Sequence, residues 1–301
     1  MHTKEKSQSI DTLCGLFGRS RQAFYKGIKR RNQEIYDQEL IVQMVQKKRK
    51  LMPRIGGRKL YSLLKPDIPL NIPVGRDKFF SILRENQLLV KRKRYRAITT
   101  MSNHWLRKYP NLVKEMIPEA PNQLWVSDIT YIQTKAGFVY LFLITDAYSR
   151  KILGWKTADT LEAKHAIKAL DMAVSQLPAK VEGLIHHSDR GVQYCSYKYV
   201  DKLNKHGIQV SMTENGDPLE NAIAERINGI LKSEWLNDME FESLQKAHPA
   251  VKQVIQIYNQ ERPHSSIEML TPQQAHNQAG HLNRLWKNYY KKPQDLCINQ
   301  L

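Results

Sequence analysis

The chain has 301 residues, 41% hydrophobic and 25% charged, with a formal net charge of +18. That balance excludes a disordered or fibrous protein, and no uninterrupted apolar run approaches the roughly 18 residues of a membrane span. The opening MHTKEKSQSI lacks a signal-peptide apolar core, and three scattered cysteines (Cys14, Cys195, Cys297) argue against a disulfide scaffold or a CxxC zinc site, so the cytoplasm is the expected compartment.

The charge is unevenly distributed. Residues 1–120 hold 27 Lys or Arg against 10 Asp or Glu, net +17, whereas the remaining 181 residues hold 20 and 19, net +1. A basic front end of this kind suits a polyanion, the plainer alternative being a solvated surface. No segment joins that charge to a strong apolar face, so no membrane surface is expected.

In chain order, IDTLCGLFGRSRQAFYKGIKRR (10–31) reads as two helical stretches broken at Gly18, with Ser20 placed to cap the second. With Arg19, Arg21 and Lys26 on its rim, this pair fits a helix-turn-helix over residues 1–35, a pattern that any small basic helical hairpin shares. A longer helix is expected from 36 to 51, ending in the basic cluster KKRK. Two short amphipathic helices, each introduced by glycine, complete a second helical DNA-binding unit over 36–98. Inside the run VKRKRYRAITT, Lys91, Arg92, Lys93 and Arg94 can lie along phosphates, or simply be exposed. A linker follows at 99–120.

After IPEAPNQ (117–123) the texture changes. LWVSDITYIQT, FVYLFLITDAYS and KILGWKTADT read as three consecutive strands, antiparallel to their neighbours. Helix LEAKHAIKALDMAVSQL, strand GLIHHSD, helix SYKYVDKLNKHG, strand IQVSMT and a long helix from about Leu219 to Trp235 come next. Three meandering strands followed by alternating helices and strands make a layered α/β domain over 121–240, with a helical extension at 241–301.

Three carboxylates stand out. Asp128 lies inside the first strand among Trp125, Val126, Ile129 and Tyr131, where a charge is expensive to bury without a partner or a cation. Asp189 ends the fourth strand. Glu225 sits on the long helix, on a polar face with Asn221, Asn228 and Lys232 opposite Ile223, Ile227, Ile230 and Leu231. Glu225 and Lys232, seven residues apart and so nearly eclipsed, are expected to point together toward a cleft. Three carboxylates brought together raise one another's pKa unless divalent cations neutralise them, and an all-oxygen set suits Mg2+ or Mn2+ rather than zinc. Two such ions about 4 Å apart can drive an in-line attack on a phosphodiester. Each aspartate taken alone also fits a loop-end cap or a salt-bridge partner.

The motifs WVSDITY, HSDRGVQY, NAIAERINGILKSE and YNQERPHSSIEMLTP, in that order, resemble those of bacterial DDE transposases of the insertion-sequence-three group, relatives of the retroviral integrases. The resemblance covers roughly residues 5–280, with 35 residues between Asp189 and Glu225 and a lysine, Lys232, seven residues after the glutamate. It implies a ribonuclease-H-like core with Asp128, Asp189 and Glu225 as a metal-binding catalytic triad for two Mg2+ or Mn2+ ions. It further implies Lys232 on the DNA backbone, Gly191 permitting the turn, and Arg190 orienting the loop or touching DNA. Asp146 and the two histidines, His186 and His187, are expected to be structural. Glu220 stands where the family often has Asp. No His-His-Cys-Cys zinc module is present, so no zinc is expected.

The implied partners are double-stranded DNA (terminal inverted repeats and target), further copies of the chain in a dimer or larger assembly, and a protein from an upstream reading frame, since sustained heptads are missing here. The implied activity is metal-dependent 3′-end cleavage and strand transfer. A non-catalytic DNA-binding regulator or inactive element copy is the alternative, and a structure-selective nuclease a third.

Overall fold

The computed structural model describes residues 9–91, 105–114, 116–178, 181–214, 221–283 and 285. The chain divides into two compact units, residues 1–50 with 56–90, and residues 51–55 with 91–301. Among the described residues no helix is long and apolar enough to cross a membrane.

In the first unit, helix α1 (Ile10–Leu16) is capped by Ser9, whose side chain accepts from the Thr12 amide. Gly18 makes the turn with φ +61°, a conformation that glycine adopts without cost. Ser20 then accepts from the Ala23 amide at 3.1 Å and opens α2 (Arg21–Leu51), as the sequence reading expects. The expected break at residue 35 is absent: α2 runs unbroken for 31 residues. The stretch Lys29–Asp37 contains neither glycine nor proline, and pairs one turn apart, Arg30 with Glu34 and Gln33 with Asp37, carry the helix across the expected boundary. Helices α3 (Gly57–Leu64) and α4 (Arg76–Glu85) follow glycine N-caps, Gly56 and Gly75. They pack through Tyr61 and Phe79, whose rings lie 5.3 Å apart.

The second unit is built on a five-stranded sheet: β1 (Leu124–Thr134), β2 (Gly137–Asp146), β3 (Ile152–Ala158), β4 (Ile185–Ser188) and β5 (Gln209–Met212). Strand order is β3-β2-β1-β4-β5. The first three strands form an antiparallel meander, while β4 and β5 run parallel to β1. This mixed sheet, with helices on both faces, is the α/β ribonuclease-H-like architecture.

Alternation along β1 separates two cores. Trp125 points into a large cluster with Phe142, Leu153, Leu170, Tyr199 and Met212, formed with α5 (Ala163–Val174), α6 (Val192–Cys195) and α7 (Tyr197–Lys205). Leu124 and Val126 point to the other face and meet Ala224 of α8 (Ala222–Glu234). Helix α9 (Leu244–Glu261) packs against β3 and α8, and α10 (Pro272–His276) against α9. The free thiols of Cys14 and Cys195 are buried; Cys297 lies outside the described residues.

Gly154 in β3 lets α5 approach the sheet. A Cβ there would overlap the Ala169 carbonyl oxygen and stand 3.0 Å from the Ala173 nitrogen, both helix backbone atoms that cannot swing aside. Gly154→Ala is expected to cost about 3 kcal/mol, read as a lowered midpoint in thermal or urea unfolding. An unchanged midpoint would contradict this close helix–sheet contact.

Candidate active site

The parallel ladder between β1 and β4 ends at the pair Ser127↔Ser188. Asp128 and Asp189 are the next residues on the two strands, so the backbone delivers both carboxylates where the strands part. By the alternation of β1, Asp128 shares the face of Val126 and α8, and Ser127 shares the face of Trp125 and α7. The Ser127 hydroxyl meets His186 Nε2 at 2.7 Å, and the Tyr199 hydroxyl meets the same nitrogen at 2.9 Å. His187 Nδ1 lies 2.9 Å from the Ser211 hydroxyl. Burial, then the neighbouring His187, pushes His186 down to about 3. His186 is a neutral strut of the sheet core, and His187 is buried beside it.

Helix α8 brings the third carboxylate. Asn221 donates to the Ser127 carbonyl (3.0 Å) and Asn228 to Asp128 Oδ2 (2.8 Å), while Asp128 Oδ1 accepts from the Ile129 amide (2.8 Å). On the polar face of α8, Asn221 and Asn228 are buried, and the exposed Glu225 sits between them in sequence. Burial first, then Asp189, pushes Asp128 up to about 7; Asn228 and the Ile129 amide oppose this, and Glu225 adds to it. Glu225 is raised by partial burial and by Asp189. Asp128 thus senses both other carboxylates, and Glu225 senses Asp189. Among the described residues no three Asp, Glu, His or Cys side chains close around one ion, so these three meet at electrostatic rather than ligating range.

Lys232 is half-buried, with its ammonium 4.3 Å above the Tyr131 ring. Burial lowers its pKa and the Asp128 carboxylate opposes the shift. Arg190 acts electrostatically on Glu214 and Cys195. Asp189 Oδ1 accepts from the Gly191 amide at 3.0 Å. Gly191 has an ordinary φ of −61°, so the turn itself does not demand glycine. Space is the tighter constraint: a Cβ would sit 3.0 Å from that same Asp189 oxygen and 3.1 Å from Gln193 Oε1, so these side chains would have to give way. Asp146 is structural. It is fully buried and accepts from the amides of Asn122 and Ser149 and from the Ser149 hydroxyl, each at 2.7 Å.

Of the residues named as DNA contacts, Arg19, Arg21 and Lys26 belong to the first unit and are exposed, with Arg21 also pairing Asp11 at 3.6 Å. Lys91 is exposed and its carbonyl accepts from Arg54. Arg92, Lys93 and Arg94, like Glu220, lie outside the described residues. Sequence reasoning missed Asn228 as the partner of Asp128 and Tyr131 as the seat of Lys232. Asn228 falls one turn after Glu225, a signal that spacing alone offered.

Comparison with known proteins settles the family. Two models described as integrase core domains match residues 118–218 and 206–272. The insertion element IS600 31 kDa protein of Shigella sonnei is 35% identical over 265 residues, covering 86% of this chain and 96% of that one. Transposase InsF for insertion sequence IS3A of Escherichia coli (strain K12) is 34% identical over 197 residues, 65% of this chain and 68% of the relative. The chain belongs to the DDE transposases of the insertion-sequence-three family. Among solved structures, the transposase is similar to the HTLV-2 integrase catalytic core domain, at 20% identity and a TM-score of 0.42, over 53% of this chain and 99% of that one.

The electrostatics of the transposase site have a measurable sign. The folded protein holds the Asp128 proton more tightly than the unfolded chain does, so stability without divalent cations falls as pH rises from the ordinary carboxylate range through about 7. Asp128→Asn removes that titration. The melting temperature of the wild type should decline across this window relative to the variant's in EDTA; parallel curves would contradict the burial and repulsion described.

Proposed function

We propose that this transposase binds the terminal inverted repeats of its element, cleaves at their 3′ ends and transfers the 3′-hydroxyl to target DNA. The observation that carries this reading is the juxtaposition of Asp128, Asp189 and Glu225 at the end of the parallel ladder, with Asp128 raised by burial, Asp189 and Glu225, and Glu225 raised by burial and Asp189. Hard carboxylate oxygens that repel one another are a donor set that fits Mg2+ or Mn2+. The buried amide oxygen of Asn228, which has no hydrogen-bond partner, adds a further oxygen beside them. Asp128, Asp189 and Glu225 would hold two such ions. Bound there, the ions supply activation of a water or a 3′-hydroxyl and stabilisation of the departing oxygen.

The other residues position and compensate. Asn228 fixes the Asp128 carboxylate through its amide N–H, and Asn221 holds the start of α8 to β1. The Lys232 ammonium, held beside Asp128 and over Tyr131, neutralises a phosphate drawn toward the carboxylates. The basic first unit carries the DNA ends, with Arg19, Arg21 and Lys26 exposed for phosphate contact. Joining two ends requires a dimer or larger assembly on DNA, with a protein of the upstream frame as a further partner.

The test is nicking and strand transfer on a labelled terminal repeat, with Mn2+ or with EDTA, for wild type and Glu225→Gln. Metal-dependent nicking at the repeat end is expected, lost by at least about 100-fold in the variant while DNA binding survives. The Mn2+ requirement should also rise below about pH 7, where protons compete for Asp128. Salt-sensitive binding without any metal-dependent cleavage by the wild type would overturn the proposal in favour of a DNA-binding regulator.

A further inference from the structure

The run Tyr258-Asn259-Gln260-Glu261-Arg262-Pro263-His264 ends α9 and takes no part in the chemistry above, yet it holds a fully buried arginine, Arg262. Its Nε and Nη2 donate to the two carboxylate oxygens of Glu234 at 2.8 and 2.6 Å. Its Nη1 donates to His264 Nε2 at 2.7 Å and to the Pro263 carbonyl at 3.3 Å. A guanidinium cannot accept, so His264 is held as the neutral tautomer with its proton on Nδ1.

Two neighbours anchor the same stretch to the sheet. Asn259 accepts from the Ile152 amide (3.0 Å) and donates to the Ile152 carbonyl (2.9 Å), pairing with edge strand β3 as another strand would. The Tyr258 hydroxyl donates to the carbonyl of Arg150 (2.9 Å), a residue held at φ +65° in the β2–β3 turn. Glu234 is the last residue of α8. It lies two residues after Lys232 and nine after Glu225.

A buried ion pair contributes little net stability compared with apolar residues of the same shape, because desolvation offsets the attraction. What a two-pronged arginine–carboxylate pair does supply is geometry, since both bonds must form in one orientation. Helix α8 is fixed at its start by Asn221 on β1 and at its middle by Asn228 on Asp128. Its other end is held by the Glu234 fork from α9, itself hooked to β3, and by the C-cap residue Trp235, whose indole N–H donates to the Leu51 carbonyl at 2.9 Å; of the two, only the fork reaches the helix through a charged pair.

We propose that Arg262 is a positioning residue of the active site, acting through Glu234 to set the axial rotation of α8 and hence the placement of Glu225 and Lys232 against Asp128 and Asp189. The proposal rests on the functional reading given above. It makes the end of α9 part of the catalytic apparatus, not a mere cover for the sheet.

The test uses the full chain with Arg262→Lys, which keeps the charge and gives up the fork. The double variant Glu234→Gln/Arg262→Gln removes both charges, so that no buried charge is stranded if the single variant fails to fold. Hydrogen exchange by mass spectrometry in the absence of metal and DNA reads the clamp. Faster exchange is expected over Ala222–Glu234, with β2 unchanged. Nicking of the terminal repeat against Mn2+ concentration reads the positioning, and the half-saturating concentration is expected to rise about tenfold in folded Arg262→Lys.

Wild-type exchange in α8 of a folded variant would overturn the clamp. A loosened α8 with an unchanged Mn2+ requirement and rate would overturn the positioning role and leave a purely structural tie. A wild type that nicks nothing would instead sink the functional reading. In that case the exchange measurement still decides the clamp, and a Mn2+-induced rise in melting temperature, weaker in the variant, decides the positioning.

Discussion

Two parallel strands that pair for four residues and then part leave Asp128 on β1 and Asp189 just past the end of β4 at the mouth of the ladder. Burial penalises the charged form of Asp128, and repulsion from Asp189 adds to that penalty. A single hydrogen bond such as that from Asn228 returns about 1 kcal/mol. Burial and repulsion therefore win, and Asp128 is pushed up to about 7. The rest of the second unit holds that unfavourable arrangement in place: the Ser127–His186–Tyr199 network behind the strands, the Asp146 anchor of the β2–β3 turn, and α8 fastened along β1.

Much of this was legible in the chain. Alternation in LWVSDITYIQT gave the strand and the face of Asp128, and the glycine and serine at 18 and 20 gave the turn and cap between α1 and α2. The order of strands and helices was enough for the layered α/β class, and the family motifs for its ribonuclease-H-like form. The carboxylates could be named by their improbable positions, but their convergence could not, because it depends on where the β1–β4 ladder stops. That end point is a tertiary fact.

The misreadings share a cause. The break expected at residue 35 came from reading the basic hairpin of 10–31 and the apolar periodicity of 36–51 as separate elements, whereas helix continuity depends on the absence of a breaker and on side-chain pairs one turn apart. Periodicity put Asn221 and Asn228 on the polar face of α8, but it separates polar from apolar residues without saying which polar residues are buried. Asn221 and Asn228 are buried because β1 offers a carbonyl and a carboxylate to receive them. Gly191 was read as a turn residue, yet it is a matter of space beside Asp189.

The central claim is that the mouth of the β1–β4 ladder is a divalent-cation site that completes on binding. The most direct measurement is anomalous diffraction from crystals of the transposase with its terminal-repeat DNA soaked in Mn2+. The account predicts anomalous peaks between the Asp128 and Asp189 carboxylates with Glu225 drawn into the same sphere. Mn2+ bound elsewhere, with these three carboxylates still apart, would contradict it.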